Sequence, residues 1–288
     1  MENIKAILLI TRSQHPLAEA TAREIGQWLQ ARGVSCSILS AEASTEELLS
    51  ASQGVQAAII LGGDGTFVGV SRKLTGLDMP LLGINFGRLG FLAELESSNW
   101  APALEKLLAG ELQSSPRSVL GWTIVRSCEE GEQTVGTGHA ANDIVLGRSS
   151  MARILPVQVS VDGKDLGCIR GDGIIVSSPS GSSGYALSAH GPLVHPDVQA
   201  IILTPVSPFG HCYPPIVLPL SSRVSLQALS DDGFLTIDGQ EGTPVQRGDE
   251  VRILGIERGF LLLSANRNNY YSRLQNRGFM GNPKYPGA

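Results

Sequence analysis

The chain has 288 residues, 42% of them apolar and 17% charged, with a net charge of −5 and a pI near 5.6. That is enough apolar material for one large domain or two ordinary ones, and it excludes a disordered chain. The acidic balance disfavours nucleic acid and anionic membrane surfaces as partners, and no apolar run reaches the length of a membrane span.

The predicted elements of the first third alternate strand and helix. Residues 5–10 (KAILLI) are a short apolar run, as in a buried parallel strand. His15-Pro16 opens a helix in which Leu17, Ala20, Ile25, Trp28 and Leu29 recur at helical spacing, and Gly33 can end it. Residues 34–39 form a second strand, Ser44/Thr45 with Glu46 and Glu47 a helix start, and residues 55–61 (VQAAIIL) a third strand. That strand runs into Gly62-Gly63-Asp64-Gly65-Thr66. A helix over 67–74, a fourth strand over 80–84 and an amphipathic helix over 100–108 follow. Repeated β–α–β units imply a Rossmann-like parallel sheet with helices on both faces.

The pattern changes near residues 110–117. From Val119 onward, short strands separated by glycine turns replace helical periodicity, among them 157–161, 173–177, 200–204, 216–218, 224–228, 234–237, 251–254 and 260–263. This predicts an all-β sandwich. The tail at 269–278 returns to helical spacing, with Tyr270, Leu274 and Tyr271 inward. The expected division is therefore an α/β domain over 1–112, a β-sandwich domain over 113–268 that binds the ligand, and a tail over 269–288 packing back on the first domain.

Four cysteines (Cys36, Cys128, Cys168, Cys212) lie far apart without a C-x-x-C pair and read as reduced thiols. The five histidines show no metal-ligand spacing. The first apolar run is too short for a signal sequence, so the compartment expected is the cytoplasm.

The glycine loop carries the first chemical signal. It follows an apolar strand, at the end of a parallel sheet where ligands bind. Its glycines let backbone N–H groups face an anion, and the next helix adds its positive end. A carboxylate there, Asp64, is electrostatically awkward unless it meets Mg²⁺ or takes a proton, and both are tasks of phosphoryl transfer. Read alone, Asp64-Gly65 is equally a simple turn. G-x-G-x-x-G fails at Val68, and no G-x-x-x-x-G-K-[ST] occurs because Gly163-Lys164 precedes Asp165.

Other segments carry further chemistry. Asn142 can both donate to and accept from an adenine edge, and Asp143 can accept from ribose hydroxyls. In residues 171–192 (GDGIIVSSPSGSSGYALSAHGP), Ser180, Ser182 and Ser183 crowd hydroxyls around Gly181 and Gly184, and Tyr185 offers a face for stacking. A serine-hydrolase elbow fails because Tyr185 stands where its last glycine belongs.

Gly62-Gly63-Asp64-Gly65-Thr66 after a strand resembles the superfamily of NAD kinases, lipid kinases and 6-phosphofructokinases. Residues 83–92 (GINFGRLGFL), Asn142-Asp143 and residues 171–192 are together similar to NAD kinases. Asp143 replaces the usual glutamate, serines replace threonines at 178, 180 and 183, Gly184 replaces alanine and His190 replaces glycine. The resemblance implies a kinase that phosphorylates the 2′-hydroxyl of the adenosine ribose of NAD, with ATP or another donor such as polyphosphate and with Mg²⁺. It implies Asp64 as the catalytic proton acceptor. Gly62, Gly63, Gly65 and Thr66 would form the phosphate loop, with Arg88 either reaching a phosphate or standing as a solvated cation. NAD would meet Asp64, Gly65, Asn142, Asp143, Arg153, Arg170, Asp172, Ser183, Gly184, Tyr185, Ala186, Leu187, Ser188 and Gln240, with Asp172 coming from the same or a neighbouring subunit. The family resemblance also implies a homodimer or homotetramer. Two other readings stay open at this point: a lipid or sugar kinase sharing the loop, and an NAD-sensing module without turnover.

Overall fold

The computed structural model describes residues 4–87, 90–149, 154–210, 213–264, 269–276 and 279. The chain forms two compact units: Met1–Val70, Asp78–Ser115 and Leu261–Ala288 make the first, and Ser71–Leu77 with Pro116–Phe260 makes the second.

The first unit is α/β. Its elements are β1 (Ala6–Thr11), α1 (Pro16–Gln30), β2 (Ser35–Ser40), α2 (Thr45–Ala51), β3 (Ala57–Leu61), α3 (Asp64–Lys73, whose end enters the second unit), β4 (Pro80–Asn85), a two-residue β5 (Leu95–Glu96) and α4 (Trp100–Leu108). β1 pairs in parallel with both β2 and β3, and β3 with β4. The chain thus reverses its winding direction between β1 and β3, which is where doubly wound sheets place a ligand. β3 and β4 are buried at every position, so they read as continuous apolar runs rather than alternating ones. Ser44 caps α2 in a full capping box with Glu47, which satisfies two otherwise orphaned N–H groups. In α1 the buried stripe is Ala18, Ala22, Ile25 and Leu29; Leu17, expected inward, is 59% exposed because it lies about 100° round the helix from that stripe.

The second unit is antiparallel. It holds β6 (Gln113–Cys128), β7 (Gly131–Ala140), β8 (Asp143–Arg148), β9 (Leu155–Val161), β10 (Lys164–Gly171), β11 (Gly173–Ser177), α5 (Tyr185–Ser188), β12 (Ala200–Val206), β13 (Ile216–Pro219), β14 (Arg223–Ala228), β15 (Gly233–Ile237), β16 (Glu241–Val245) and most of β17 (Glu250–Ser264). One sheet runs β10-β9-β14-β17, with β6 pairing β17 and β7; the other runs β13-β12-β11-β8-β15-β16. Val157, Val159, Leu226 and Ile253 from the first meet Ile144, Leu146, Val176, Leu203 and Leu235 from the second in one core. The sandwich expectation holds, with two differences. The strands expected over 251–254 and 260–263 are one continuous strand, and the hairpin of β6 and β7 is longer than the short strands predicted. Both stretches have exposed or half-exposed faces, so alternation of apolar residues does not mark them.

The end of β17 belongs to the first unit, where Leu261 and Leu262 pair in parallel with Pro80 and Leu81. There too lies α6 (Asn269–Asn276), which buries Leu274 while Tyr271, expected inward, is 66% exposed. Arg273 of this helix forms an ion pair with Glu94, which also accepts from Ser264 Oγ at 2.7 Å.

Candidate active site

In the first unit two glycine-bearing loops lock together at the carboxyl edge of the sheet. Gly62 N donates to Ile84 O at 2.9 Å, tying the end of β3 to β4. The expected helix over 67–74 starts earlier, so Asp64, Gly65 and Thr66 form the first turn of α3 and not an open loop. The Asp64 carboxylate accepts from three successive N–H groups, those of Phe91 at 2.7 Å, Leu92 at 3.2 Å and Ala93 at 3.0 Å. A Cβ on residue 90 would sit 1.7 Å from Asp64 Oδ1, so glycine is required there for this approach. Leu92 is buried; Phe91 is half-buried and stacks on Phe279 with centroids 6.0 Å apart. Arg88 lies outside the described residues.

In the second unit a knot of main chain surrounds Asp143. Residues 141–143 lead into β8, and their three N–H groups donate to one carboxylate, Asp238, at 3.0, 2.7 and 3.1 Å. Asp238 N returns a bond to Asp143 O at 2.9 Å. Asn142 O accepts from Ser178 N at 2.8 Å, and Ser178 Oγ donates to Ala141 O at 2.6 Å. Gly181 packs against the same segment so closely that a Cβ would lie 2.1 Å from Asn142 O. Asp143 is 6% exposed, and burial, then the nearby Asp238 carboxylate, push its carboxyl up to about 7. Burial also raises Asp238, against the opposing pull of its three N–H partners and of Arg72.

The hydroxyl-rich turn is partly structural. Ser182 is buried, its Oγ donating to Pro179 O and accepting from Val194 N, and Ser183 Oγ donates to Ser180 O at 3.2 Å. Of the expected NAD contacts here, Gly184, Tyr185 and Ser188 are exposed, Ser183 and Leu187 half-buried and Ala186 buried. His190 adopts φ 65°, a left-handed backbone that favours glycine, the residue the family resemblance implies at this place. Asp172 is half-exposed and pairs with Arg148 Nε at 3.0 Å. Arg170 and Gln240 are exposed, and Arg153 lies outside the described residues.

Sequence reasoning missed Arg72, Arg148 and the role of Asp238. Residues 236–240 resemble the family's Asp-Gly-Gln turn, but that resemblance points to Gln240 and Asp-Gly alone is common in hairpins, and Arg72 looks like any cation in the last turn of a helix. Among the described residues no three His, Cys, Asp or Glu side chains gather as a metal cage. A metal that reaches the site on substrate phosphates needs no such cage, since Mg²⁺ typically keeps waters and takes one or two carboxylates.

An α/β unit with a carboxylate-bearing glycine loop at its sheet edge, joined to a β-sandwich with a buried carboxyl beside a hydroxyl-rich turn, defines a nucleotide-binding enzyme. The comparisons make this specific. Residues 49–112 match the ATP-NAD kinase N-terminal domain and residues 141–263 the ATP-NAD kinase C-terminal domain. The NAD kinase of Lawsonia intracellularis is 42% identical over 287 residues, 99% of each chain, and that of Nitratidesulfovibrio vulgaris 39% identical over 282 residues, 97% of this chain and 93% of the relative. Among solved structures, yeast NADH kinase complexed with NADH has a TM-score of 0.87 at 20% identity, covering 100% of this chain and 91% of its own. An NAD kinase from Archaeoglobus fulgidus in complex with ATP has a TM-score of 0.73 at 25% identity, covering 94% and 98%. The chain belongs to the NAD kinase family and is an enzyme of that kind. The lipid- and sugar-kinase reading is thereby set aside.

Proposed function

We propose that the chain transfers the terminal phosphoryl group of ATP to the 2′-hydroxyl of the adenosine ribose of NAD, giving NADP and ADP, with Asp64 as proton acceptor. The observation that carries this reading is the placement of Asp64 in the first turn of α3, directly after β3, with its carboxylate oriented by the N–H groups of Phe91, Leu92 and Ala93. A sugar hydroxyl is not ionised near neutral pH, so its proton must leave during transfer, to a base already in place. Asp64 takes that proton as the ribose oxygen attacks phosphorus in line.

The N–H groups of Gly62, Gly63, Gly65 and Thr66, with the positive end of α3, favour the negative charge of the triphosphate, and Arg88 is assigned to the same phosphates. Asn142 reads the adenine edge and Asp143 accepts from ribose hydroxyls. Residues 183–188 and Gln240 line the dinucleotide, Arg153 and Arg170 offset its diphosphate, and Asp172 meets its nicotinamide half. Mg²⁺ would enter as a companion of the triphosphate, held by phosphate oxygens and water and neutralising phosphate charge, which leaves the proton to Asp64. The assignment extends to a cytoplasmic homodimer or homotetramer; no helix among the described residues is long and apolar enough to cross a membrane.

The test is Asp64→Asn. It keeps the size of the side chain but cannot take the proton; its NH2 also gives up at least one of the three N–H bonds, so folding is checked by circular dichroism. NAD affinity by calorimetry stays within about threefold of the parent while turnover falls at least ~100-fold. A kcat near the parent's removes Asp64 from the role.

A further inference from the structure

Arg72 is a charged side chain that the mechanism above leaves without a task, although it is only 7% exposed. It lies in the last turn of α3, in the segment Ser71–Leu77 of the second unit. Its guanidinium donates to Ile237 O at 3.3 Å and to Glu241 Oε1 at 2.5 Å, and stands 3.6 Å from Asp238 Oδ2. The Asp238 side chain is fully buried, and it in turn gathers the N–H groups of Ala141, Asn142 and Asp143. A single chain of contacts therefore runs from a buried cation, through a buried carboxylate, to the main chain of the two residues assigned to the adenosine half of the substrate.

We propose that Arg72 is a positioning residue for NAD binding, acting through Asp238 to hold the main chain of Asn142 and Asp143. This rests on the assignment of those two residues given above. Desolvating a guanidinium is costly and an apolar side chain often packs equally well in its place, so packing alone does not call for an arginine here. The charge balance does. Asp143 and Asp238 are both buried, the Asp238 carboxylate adds to the resistance of Asp143 to ionisation, and Arg72 is a cation facing Asp238, with Glu241 at its outer, solvent-exposed side. Asp238 accepts N–H groups on both of its oxygens, which suits a charged carboxylate, and the Arg72 charge favours that state.

The experiment uses the full chain with Arg72→Met, Arg72→Lys and, in parallel, Asn142→Ala. NADP formation from NAD with ATP and Mg²⁺ is followed across the pH range, with folding checked by circular dichroism. Arg72→Met is expected to raise the KM for NAD about tenfold and leave the KM for ATP within about twofold, since a displaced binding loop, not the donor site, is what changes. The acid limb of kcat/KM for NAD moves to higher pH, because the buried Asp238 carboxyl must ionise without its cation. Arg72→Lys restores the limb, because the charge returns, but recovers only part of the KM, because an ammonium lacks the planar fork that reaches Ile237 and Glu241 together. A folded Arg72→Met enzyme of lower thermal stability but unchanged KM for NAD and unchanged acid limb overturns the inference. If the methionine variant does not fold, Arg72→Lys decides: a KM for NAD raised about threefold with ATP unaffected supports the positioning role, and parental values overturn it. An unchanged KM for NAD in Asn142→Ala withdraws the site assignment itself; a raised one beside an unaffected Arg72→Met overturns only the role of Arg72.

Discussion

Gly181→Ala probes how the hydroxyl-rich turn and the Asn142 segment are fitted together. The backbone at Gly181 is not among the positive-φ positions, so alanine is conformationally permitted and the effect is steric. Its Cβ would stand 2.1 Å from Asn142 O, 2.5 Å from Asn142 C and 2.7 Å from Asn142 Cα. All three are main-chain atoms, so no side-chain rotation relieves the clash. Reaching ordinary contact at about 3.5 Å requires a shift of roughly 1.4 Å in one segment or the other. That shift stretches Ser178 N to Asn142 O, now 2.8 Å, and Gly181 N to Ser178 Oγ, now 3.1 Å. Two hydrogen bonds at about 1 kcal/mol each and overpacking of about 1–3 kcal/mol give a loss of about 3–5 kcal/mol. A typical domain has about 5–15 kcal/mol in all, so the variant folds with reduced stability. A 1 Å displacement of a positioning residue can cost up to ~100-fold in catalysis, and here it falls on NAD and not on ATP. The assays are urea denaturation and steady-state kinetics with each substrate varied. Parental stability together with a parental KM for NAD would refute the reasoning, since it would mean that the contact relaxes without moving Asn142.

Two other substitutions test the electrostatics and the backbone. The Asp143 carboxyl is raised to about 7, so between about pH 4 and 7 the folded chain keeps a proton that the unfolded chain releases, and stability falls as pH rises through that window. Asp143→Asn removes this slope, stabilises the fold by about 2–4 kcal/mol above pH 7 and weakens NAD binding; denaturation curves at pH 5 and 8 that shift equally would contradict the buried-carboxyl account. His190→Gly relieves a left-handed residue at a strain of about 1–2 kcal/mol, part of which is offset by the greater freedom of glycine when unfolded, for a net gain of about 0.5–1 kcal/mol. A lower melting temperature in that variant would show that the imidazole contributes more than the strain removes.

Legibility of the site followed the range of its contacts. Asp64 and its glycines could be found because the signal is local: an apolar strand, a glycine turn and a helix in succession. That Asp64 is held by residues 91–93 could not, since the bond joins positions 27 to 29 residues apart. The long hairpin of β6 and β7 escaped notice because its exposed face carries no alternation, and Leu17 and Tyr271 were placed inward because apolar character alone does not say which face of a helix is covered.

The amino-acid order by itself determined the two kinds of architecture, through continuous apolar runs for the parallel strands and glycine-punctuated short runs for the sandwich. It also determined the family, because the glycine loop, Asn142-Asp143 and residues 171–192 occur together in one chain. Only the tertiary structure decided that Asp238, in its hairpin turn, also anchors a distant main chain and that Arg72 is a buried counter-charge rather than a surface cation. Asp238 lies 95 to 97 residues from the N–H groups it binds, and Arg72 lies 165 from Ile237. The physical reason is that the charge state and partners of a buried group are set by what folding brings within about 4 Å of it, and neither spacing nor composition encodes that neighbourhood.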